Sequence, residues 1–486
     1  MGINNDRRLS RRQLIALTGA GAAAGLAGCF GNGGGNGGGN GGGNGGGNGT
    51  ENPANLPPVH VFTDYNNDAW QNQWEKTIAP EFKDATDIDL KMEYAGFSGQ
   101  NEDRLATLIQ SGDPPAVQTS TFEQVGDVWA SDGLEDVGPI LEQIQSECGE
   151  MSSVPFHQGE SYWEIPHGYY TGTFVYRQDV YDELGLEVPT SFSQLVANAK
   201  AIDESDMDIR GYGLAGQKVG KSQDEFQVYL ANAGAQELRM KNPNGDPPEA
   251  ELWFPKEEAL VVLDMFKELA GYSPDPTGIG WGQSLRGYAA GNFAQQYNLN
   301  VWPAGVASAV DEEIAKNTRV APLPLWEEGG VTKDDSWLSN PTPDGYHVFS
   351  GADNTPGGRR LMKWMYGEDV ERTAQWYGAE PTRFLPNYKD VISTDTFEGF
   401  DHWQSYPKHL EMLKYVQDTI VADYYNNVEN ANVLGRVPEA VYYYRFFFQG
   451  EMVNQVVAAD RDPEKAYQDA YDTAKQRLQE GKDRLR

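Results

Sequence analysis

Between Val59 and Ala130, short apolar runs alternate with longer segments in which large apolar residues recur every three or four positions. This alternation limits the chain to a small set of α/β folds. Val59-His60-Val61-Phe62 reads as a strand running into Thr63-Asp64-Tyr65, and Trp70, Trp74, Ile78 and Phe82 mark one face of the helix behind it. Asp89 to Tyr94 alternates like a second strand. Asn101 to Ser111 reads as a helix with Leu105, Leu108 and Ile109 inward, and Ala116 to Ser120 as a third strand before a short helix over Val125 to Ala130. A β-α-β-α-β order implies a parallel, doubly wound sheet with ligands at the carboxyl ends of its strands. The rhythm resets around Tyr162 to Pro166. Strands are then expected at Thr173–Arg177, Val320–Leu325 and Tyr346–Ser350, and helices at Ser191–Ile202 and Glu257–Leu269. Gly357–Met365, Val370–Tyr377, His409–Ala422 and Pro463–Arg486 read as mostly helical. The pattern predicts two α/β lobes with helices dominating the last third.

Charge narrows the range of partners. The 486 residues carry 38 Lys+Arg against 72 Asp+Glu, a formal net charge of −34. Nucleic-acid binding needs clustered cations on phosphates, and anionic lipid head groups need the same, so both are disfavoured. With 39% hydrophobic residues the chain can still bury a core, so the acids are expected to coat a globular surface. Such a coat, with only 18 of the 38 basic residues being Lys, fits a protein of a salt-loving, haloarchaeal type of source. Two cysteines exclude a disulfide framework, and six scattered histidines give no metal-ligand spacing. No cofactor is expected.

The first 56 residues read as an address and a tether. Arg7, Arg8, Arg11 and Arg12 precede an apolar run from Leu14 to Gly28, too short to span a bilayer, which takes about 20 residues. Ser10-Arg11-Arg12-Gln13-Leu14-Ile15 resembles a twin-arginine export signal. Leu26-Ala27-Gly28-Cys29 resembles a lipobox, which makes Cys29 the expected lipidation site after removal of residues 1–28; an ordinary signal peptide with an incidental cysteine is the plainer alternative. From Gly31 to Gly49 the chain contains only Gly and Asn, so 29–56 is expected to be a flexible linker. Asn48-Gly49-Thr50 has the glycosylation spacing, and Cys148 is expected to be a buried, idle thiol.

Several blocks in the globular part share an order and spacing with one family. They are Phe82 to Leu90, Leu105 to Val117 with its Gly112-Asp113-Pro114-Pro115, and Ala130 to Val137 with Gly133-Leu134. Trp163 to Pro166, Val175 to Asp179 and Leu184 to Phe192 follow, then Gly287 to Phe293, Ala321 to Pro324 and Pro381-Thr382-Arg383. In these the chain resembles the extracellular solute-binding proteins of ABC importers, in the sugar-binding, maltose-binding-protein-like branch. It departs from that pattern at Ala116, Arg177 and Phe192, where Asp, Asn and Trp are usual. The resemblance implies a two-lobe α/β fold of the type II periplasmic-binding-protein kind, with a ligand cleft between the lobes and hinge crossovers. Residues 57–165 plus about 345–395 would form the first lobe, and about 166–344 plus 396–486 the second. It implies no catalysis, a monomer, and capture of a carbohydrate for permease transmembrane subunits at the outer membrane face.

A sugar site needs flat aromatic faces together with amides and carboxylates for hydroxyls. Loops after the three strands offer Asp64 and Tyr65, Phe97 and Ser98, and Ser120 and Thr121. Asp64 could equally cap the next helix. Tyr169 and Tyr170 lie at the expected crossover; paired tyrosines also occur in iron-binding members of the wider family. Trp281, between two glycines, reads as a loop residue available for stacking, with Gln296, Asn298, Trp302 and Trp337 as further contacts. Arg383 could pair an anionic ligand or an acidic side chain. Trp70, Trp74 and Phe446 to Phe448 are assigned to cores, and Asp311-Glu312-Glu313 to a solvated face. The rival reading is an exported glycoside hydrolase, but no motif singles out its carboxylate pair. A glycerol-phosphate ester ranks behind neutral sugars, because it calls for converging cations.

Overall fold

The computed structural model describes residues 52–95, 100–120, 122–242, 245, 248–329, 342–421 and 436–485. Strands β1 (Val59–Thr63), β2 (Leu90–Tyr94) and β3 (Val117–Ser120) pair in parallel in the order β2-β1-β3. A small hairpin, β4 (His157–Gln158) and β5 (Ser161–Tyr162), precedes β6 (Ile165–Tyr170). One residue, Thr171, then separates β6 from β7 (Gly172–Arg177), yet the two strands lie in different sheets. A second hairpin joins β8 (Leu238–Met240) to β9 (Ala250–Leu252). Beyond it, β10 (Gln295–Leu299) and β11 (Thr318–Ala321) flank β7 antiparallel in a three-stranded sheet. Strands β12 (Thr342–Val348) and β13 (Leu385–Pro386) return to the first sheet, giving the order β13-β6-β12-β3-β1-β2.

The first sheet is therefore mixed, where the sequence pattern implied a parallel one. Its entry point explains this. Thr342 of β12 pairs with Tyr170, the residue at which β6 leaves the sheet, so β12 runs antiparallel to both β6 and β3. Strand bounds also shift. β11 stops at Ala321 because Pro322 and Pro324 have no N–H for a ladder, and β12 begins before Tyr346.

The first long helical run shows sequence spacing acting on backbone geometry. Trp70, Trp74, Ile78 and Phe82 are all buried and each lies four positions after the last. A regular helix has 3.6 residues per turn, so such a stripe drifts around the axis. The run is α-helical over Asp68–Gln73, widens to a π segment over Trp74–Ile78, and resumes as α-helix over Ala79–Thr86. The wide turn keeps the four side chains on one face, and Pro80, with no N–H to donate, is the second residue of the α-helix that resumes after it.

Among the described residues, three apolar clusters hold the fold. The first packs Val61, Trp74, Phe82, Val117, Tyr346, Trp364 and Trp376 beside the six-stranded sheet. The second packs Phe174, Phe226, Tyr229, Leu263 and Phe266 with Val453 and Leu478 of the C-terminal helices Phe448–Val457 and Pro463–Leu485. A smaller one joins Phe62, Leu105 and Val125 to Val441. Cys148 is buried and burial pushes its thiol up to about 11, which keeps it an inert thiol. Phe446 is a correction: Phe448 is buried but Phe446 is 40% exposed, its ring 4.0 Å from the Arg477 guanidinium.

β12 carries an irregularity between Asp344 and Gly345. A Cβ at Gly345 would lie 2.2 Å from the Ile165 carbonyl oxygen, which is backbone and cannot swing away. Gly345→Ala is therefore expected to cost about 1–3 kcal/mol in chemical unfolding. A change under about 0.5 kcal/mol would show that the bulge relaxes freely.

Candidate ligand-binding site

The carboxyl ends of β1 and β3 meet at Asp64. Its amide donates to Thr119 Oγ1 at 3.1 Å, and that hydroxyl lies 2.9 Å from Asp64 Oδ1 and 2.8 Å from Thr63 Oγ1. Asp64 does not cap the following helix, because Asn67 does, accepting from the Trp70 amide at 3.0 Å. Burial raises the Asp64 pKa, partly offset by Arg383 and Thr119. Ser120, at the end of β3, is buried, with no hydrogen bond at its Oγ.

Asp344 sits at the bulge of β12 and is only 5% exposed. The Tyr65 and Tyr170 hydroxyls lie beside its carboxyl and hydrogen-bond towards it, although Oδ1 accepts no bond of standard geometry. Burial, followed by repulsion from Asp64, pushes its carboxyl up to about 7, and Arg383 only partly opposes this. Tyr65 is fully buried against Trp70, Phe384 and Tyr346.

Arg383, 4% exposed, is the centre of the cluster. Its Nε donates to the Tyr170 hydroxyl at 2.9 Å and a terminal nitrogen to Glu380 Oε2 at 3.0 Å. The same carboxylate oxygen accepts from Trp70 Nε1 at 2.6 Å. The guanidinium lies 4.7 Å from the Trp302 ring, 4.8 Å from Phe384 and 5.2 Å from Tyr65. Of its two expected partners, Arg383 has the acidic side chain.

Asn300 ties this cluster to the crossover. It holds a left-handed φ of 48°, a conformation Asn tolerates better than most residues. Its Oδ1 accepts from the Thr171 amide at 2.9 Å, and its Nδ2 donates to the carbonyls of Tyr169 at 3.0 Å and Arg383 at 2.8 Å. One side chain thus clamps the β6–β7 joint to the segment that carries Arg383. Within β6, alternation separates the two tyrosines. Tyr170 reaches Arg383, whereas Tyr169 is buried in the first core, so the expected pair is reduced to one.

Trp302 opens the helix Trp302–Ser308, is 7% exposed and has no hydrogen-bond partner at Nε1. Its ring stacks with Tyr170 at 6.4 Å and 23°, and lies 6.5 Å from Trp281. Trp281 is not in a loop: Gly280 is extended and Trp281 is the first residue of the helix Trp281–Ala289. Beneath it, Lys221 lies 5.0 Å from the Trp281 ring and 4.0 Å from Tyr297, donates to the Tyr297 carbonyl at 2.7 Å and pairs with Glu225 at 3.5 Å. Both ions are fully buried; burial pulls Lys221 down to about 8 despite Glu225.

Gln296 and Asn298, expected as ligand contacts, lie in β10 and are fully buried. Asn298 Nδ2 bonds to Gln296 Oε1 and to Ser284 Oγ, which donates to the Trp281 carbonyl at 2.9 Å. They brace the Trp281 helix. Phe97, Ser98, Thr121, Trp337 and Cys29 lie outside the described residues.

The structure thus brings Asp64, Tyr65, Tyr170, Trp302 and Arg383 together, with Trp281 adjoining through Trp302. Asp344, Glu380, Phe384 and Lys221 were not anticipated. Asp344 was hidden by Pro343-Asp344-Gly345, which reads as a turn. Among the described residues, no group of three His, Cys, Asp or Glu side chains is placed to hold a metal ion.

The family profile for bacterial extracellular solute-binding proteins matches residues 67–372, more than half of the chain. The chain belongs to that family, whose members bind solutes for transport. Solved structures agree on the two-lobe fold. A solute-binding protein from Thermotoga lettingae with bound α-D-tagatose is 17% identical, with a TM-score of 0.67 over 87% of this chain and 100% of that one. The GacH receptor of Streptomyces glaucescens, studied unliganded and with acarbose, is 18% identical, with a TM-score of 0.68 over 87% and 99%. A solute-binding protein from Agrobacterium radiobacter with ribitol is 19% identical, with a TM-score of 0.67 over 87% and 98%. No curated protein sequence matches the chain.

Proposed function

We propose that this protein captures a carbohydrate or polyol between its lobes and delivers it to the permease subunits of an ABC importer. One observation carries the reading: Tyr65, Tyr170 and Trp302, with Asp64, Asp344 and Ser120, converge where the two sheets are joined. Flat rings suit the apolar faces of sugars, and the buried Ser120 hydroxyl, which has no hydrogen-bond partner, and the Asp344 carboxyl suit sugar hydroxyls. The relatives of like fold, with tagatose, acarbose and ribitol, support the ligand class. Residues 57–165 with about 345–395 form the first lobe in this reading, and about 166–344 with 396–486 the second. Ligand contacts present only on closure would shift the hinge equilibrium, with Asn300 and Thr171 absorbing the change.

The N-terminal segment gives the location: twin-arginine export, lipidation of Cys29, and a Gly/Asn tether holding a monomer at the outer face of the membrane of a salt-loving cell. No described helix is long and apolar enough to cross a membrane.

A thermal-shift screen in molar KCl, over sugars, polyols and glycerol-phosphate esters, tests the ligand class. A ligand at 100 times its Kd stabilises by about 2.7 kcal/mol. A response confined to phosphate esters, or none at all, would overturn the reading. With the best ligand, Trp302→Ala is expected to weaken binding by about 1–2 kcal/mol, roughly five- to thirtyfold in Kd, measured by calorimetry. Trp281→Ala should act in the same direction, and a loss below about 0.5 kcal/mol would remove Trp281 from the site.

A further inference from the structure

We infer that the site selects a ligand bearing a protonated nitrogen beside its hydroxyls, an amino sugar or amino polyol, with Asp344 and Asp64 as its counter-ions. The inference rests on the carbohydrate reading above and narrows it. Its basis is a mismatch of charge. Asp64, Asp344 and Glu380 surround a single guanidinium, and Glu380 already takes a terminal nitrogen of Arg383 at 3.0 Å. Its Nε donates to the Tyr170 hydroxyl, and the guanidinium lies against four aromatic rings, Tyr170 among them. Among the described residues, no second cation acts on either aspartate. Lys221 is held by Glu225 and the Tyr297 carbonyl. His167, inward from β6 and hydrogen-bonded to the Tyr366 hydroxyl, is kept neutral by burial, down to about 3.

The half-buried Asp64 and the buried Asp344 thus share one cation already paired with Glu380, and the described donors beside Asp344 are the neutral Tyr65 and Tyr170 hydroxyls. A ligand hydroxyl supplies one donor and leaves the charge uncompensated. An ammonium supplies three donors and cancels it, and the Tyr65 and Tyr170 rings favour a cation over a neutral group. A phosphate would meet two like charges. The raised carboxyl of Asp344 fits the same picture, because burial beside Asp64 disfavours its charge until a cation arrives.

The test is titration calorimetry on the full chain with ligand pairs differing only in OH against NH3+: D-sorbitol with D-glucamine, and D-glucose with D-glucosamine. Each amine is expected to bind at least tenfold more tightly at pH 7, and Asp344→Asn to reduce that ratio below threefold. In the unmodified protein, glucamine affinity should fall as pH drops from 8 to 5, while sorbitol affinity does not. Equal or tighter binding of the neutral members overturns the inference and leaves the carbohydrate reading standing. So does silence of both pairs while another neutral sugar binds, or an unchanged ratio in Asp344→Asn. Silence of the pairs and of the whole sugar and polyol panel removes both readings.

Discussion

Replacing Arg383 by methionine is expected to lower stability by about 3 kcal/mol, the lower end of the cost of breaking a buried ion pair, because Arg383 is buried while Glu380 is 17% exposed. Methionine nearly fills the volume, so the loss is electrostatic rather than a cavity effect. It leaves Glu380 with only Trp70 Nε1 among its described donors, and leaves Asp64 and Asp344 facing each other with no cation between them. The Tyr170 hydroxyl also loses its donor, and three aromatic faces lose a charge about 5 Å away. Urea unfolding measures the effect. Adding Glu380→Gln should recover about 1 kcal/mol, because an unpaired, half-buried carboxylate is worse than a neutral amide. Salt separates this pair from the surface pairs of the same chain. Lys256–Glu464 and Lys389–Glu150 are exposed, and at 1 M salt screening acts within about 3 Å. The Arg383 effect should persist in molar KCl, where those pairs contribute nothing measurable. A loss below about 1 kcal/mol would mean that water reaches the cluster and that it is not the rigid centre described.

What the sequence disclosed and what it hid divide along one physical line. Local periodicity exposed β1, β2 and β3, the helices behind them and the burial of Trp70 and Trp74, because side-chain spacing within one element decides those. The loop after β1 was also legible, since parallel strands place their ligands at their carboxyl ends, and Asp64 and Tyr65 are there. Non-local pairing was not legible. Whether a Pro-Asp-Gly segment turns or enters a sheet depends on β3 and β6, far away in the chain, and Asp344 was lost for that reason. Tyr169 and Tyr170 are adjacent in sequence and opposite in orientation, a distinction that appears only once the register of β6 against β12 is known. Trp281 between glycines looked like a loop residue because nothing local announced that Gly280 is the last extended residue before a helix. The Lys221–Glu225 pair has ordinary helix spacing, and only its complete burial sets it apart from a surface i,i+4 pair.

Asp344→Asn is expected to stabilise the ligand-free protein at alkaline pH and to do little at acid pH. The sign follows from linkage. In the folded state the Asp344 carboxyl is raised from 3.8 to about 7, so the folded protein holds this proton where the unfolded chain has lost it. The contribution of Asp344 to stability is therefore fully present below pH 4, declines as pH rises to about 7, and stays lost above that. A tenfold change in proton affinity is worth about 1.4 kcal/mol, so the variant should exceed the unmodified protein by about 2–4 kcal/mol at pH 8. Asp64, raised in the same direction, adds to the decline in the unmodified protein. Surface carboxylates held down by Lys or Arg, such as Glu150 and Glu451, act in the opposite sense, but they are common to both proteins and cancel in the difference. Urea midpoints at pH 4, 6 and 8 give that difference directly. A variant equally stable at all three values would mean that Asp344 is ionised and compensated in the folded state. A captured amine should act on the unmodified protein as the mutation does, by compensating the charge, so its stabilisation should be largest at pH 8 and should fade towards pH 5. A protein that tolerates an uncompensated carboxylate when empty gives up stability that its ligand restores, and that difference between the empty and occupied states is what favours closure on the ligand.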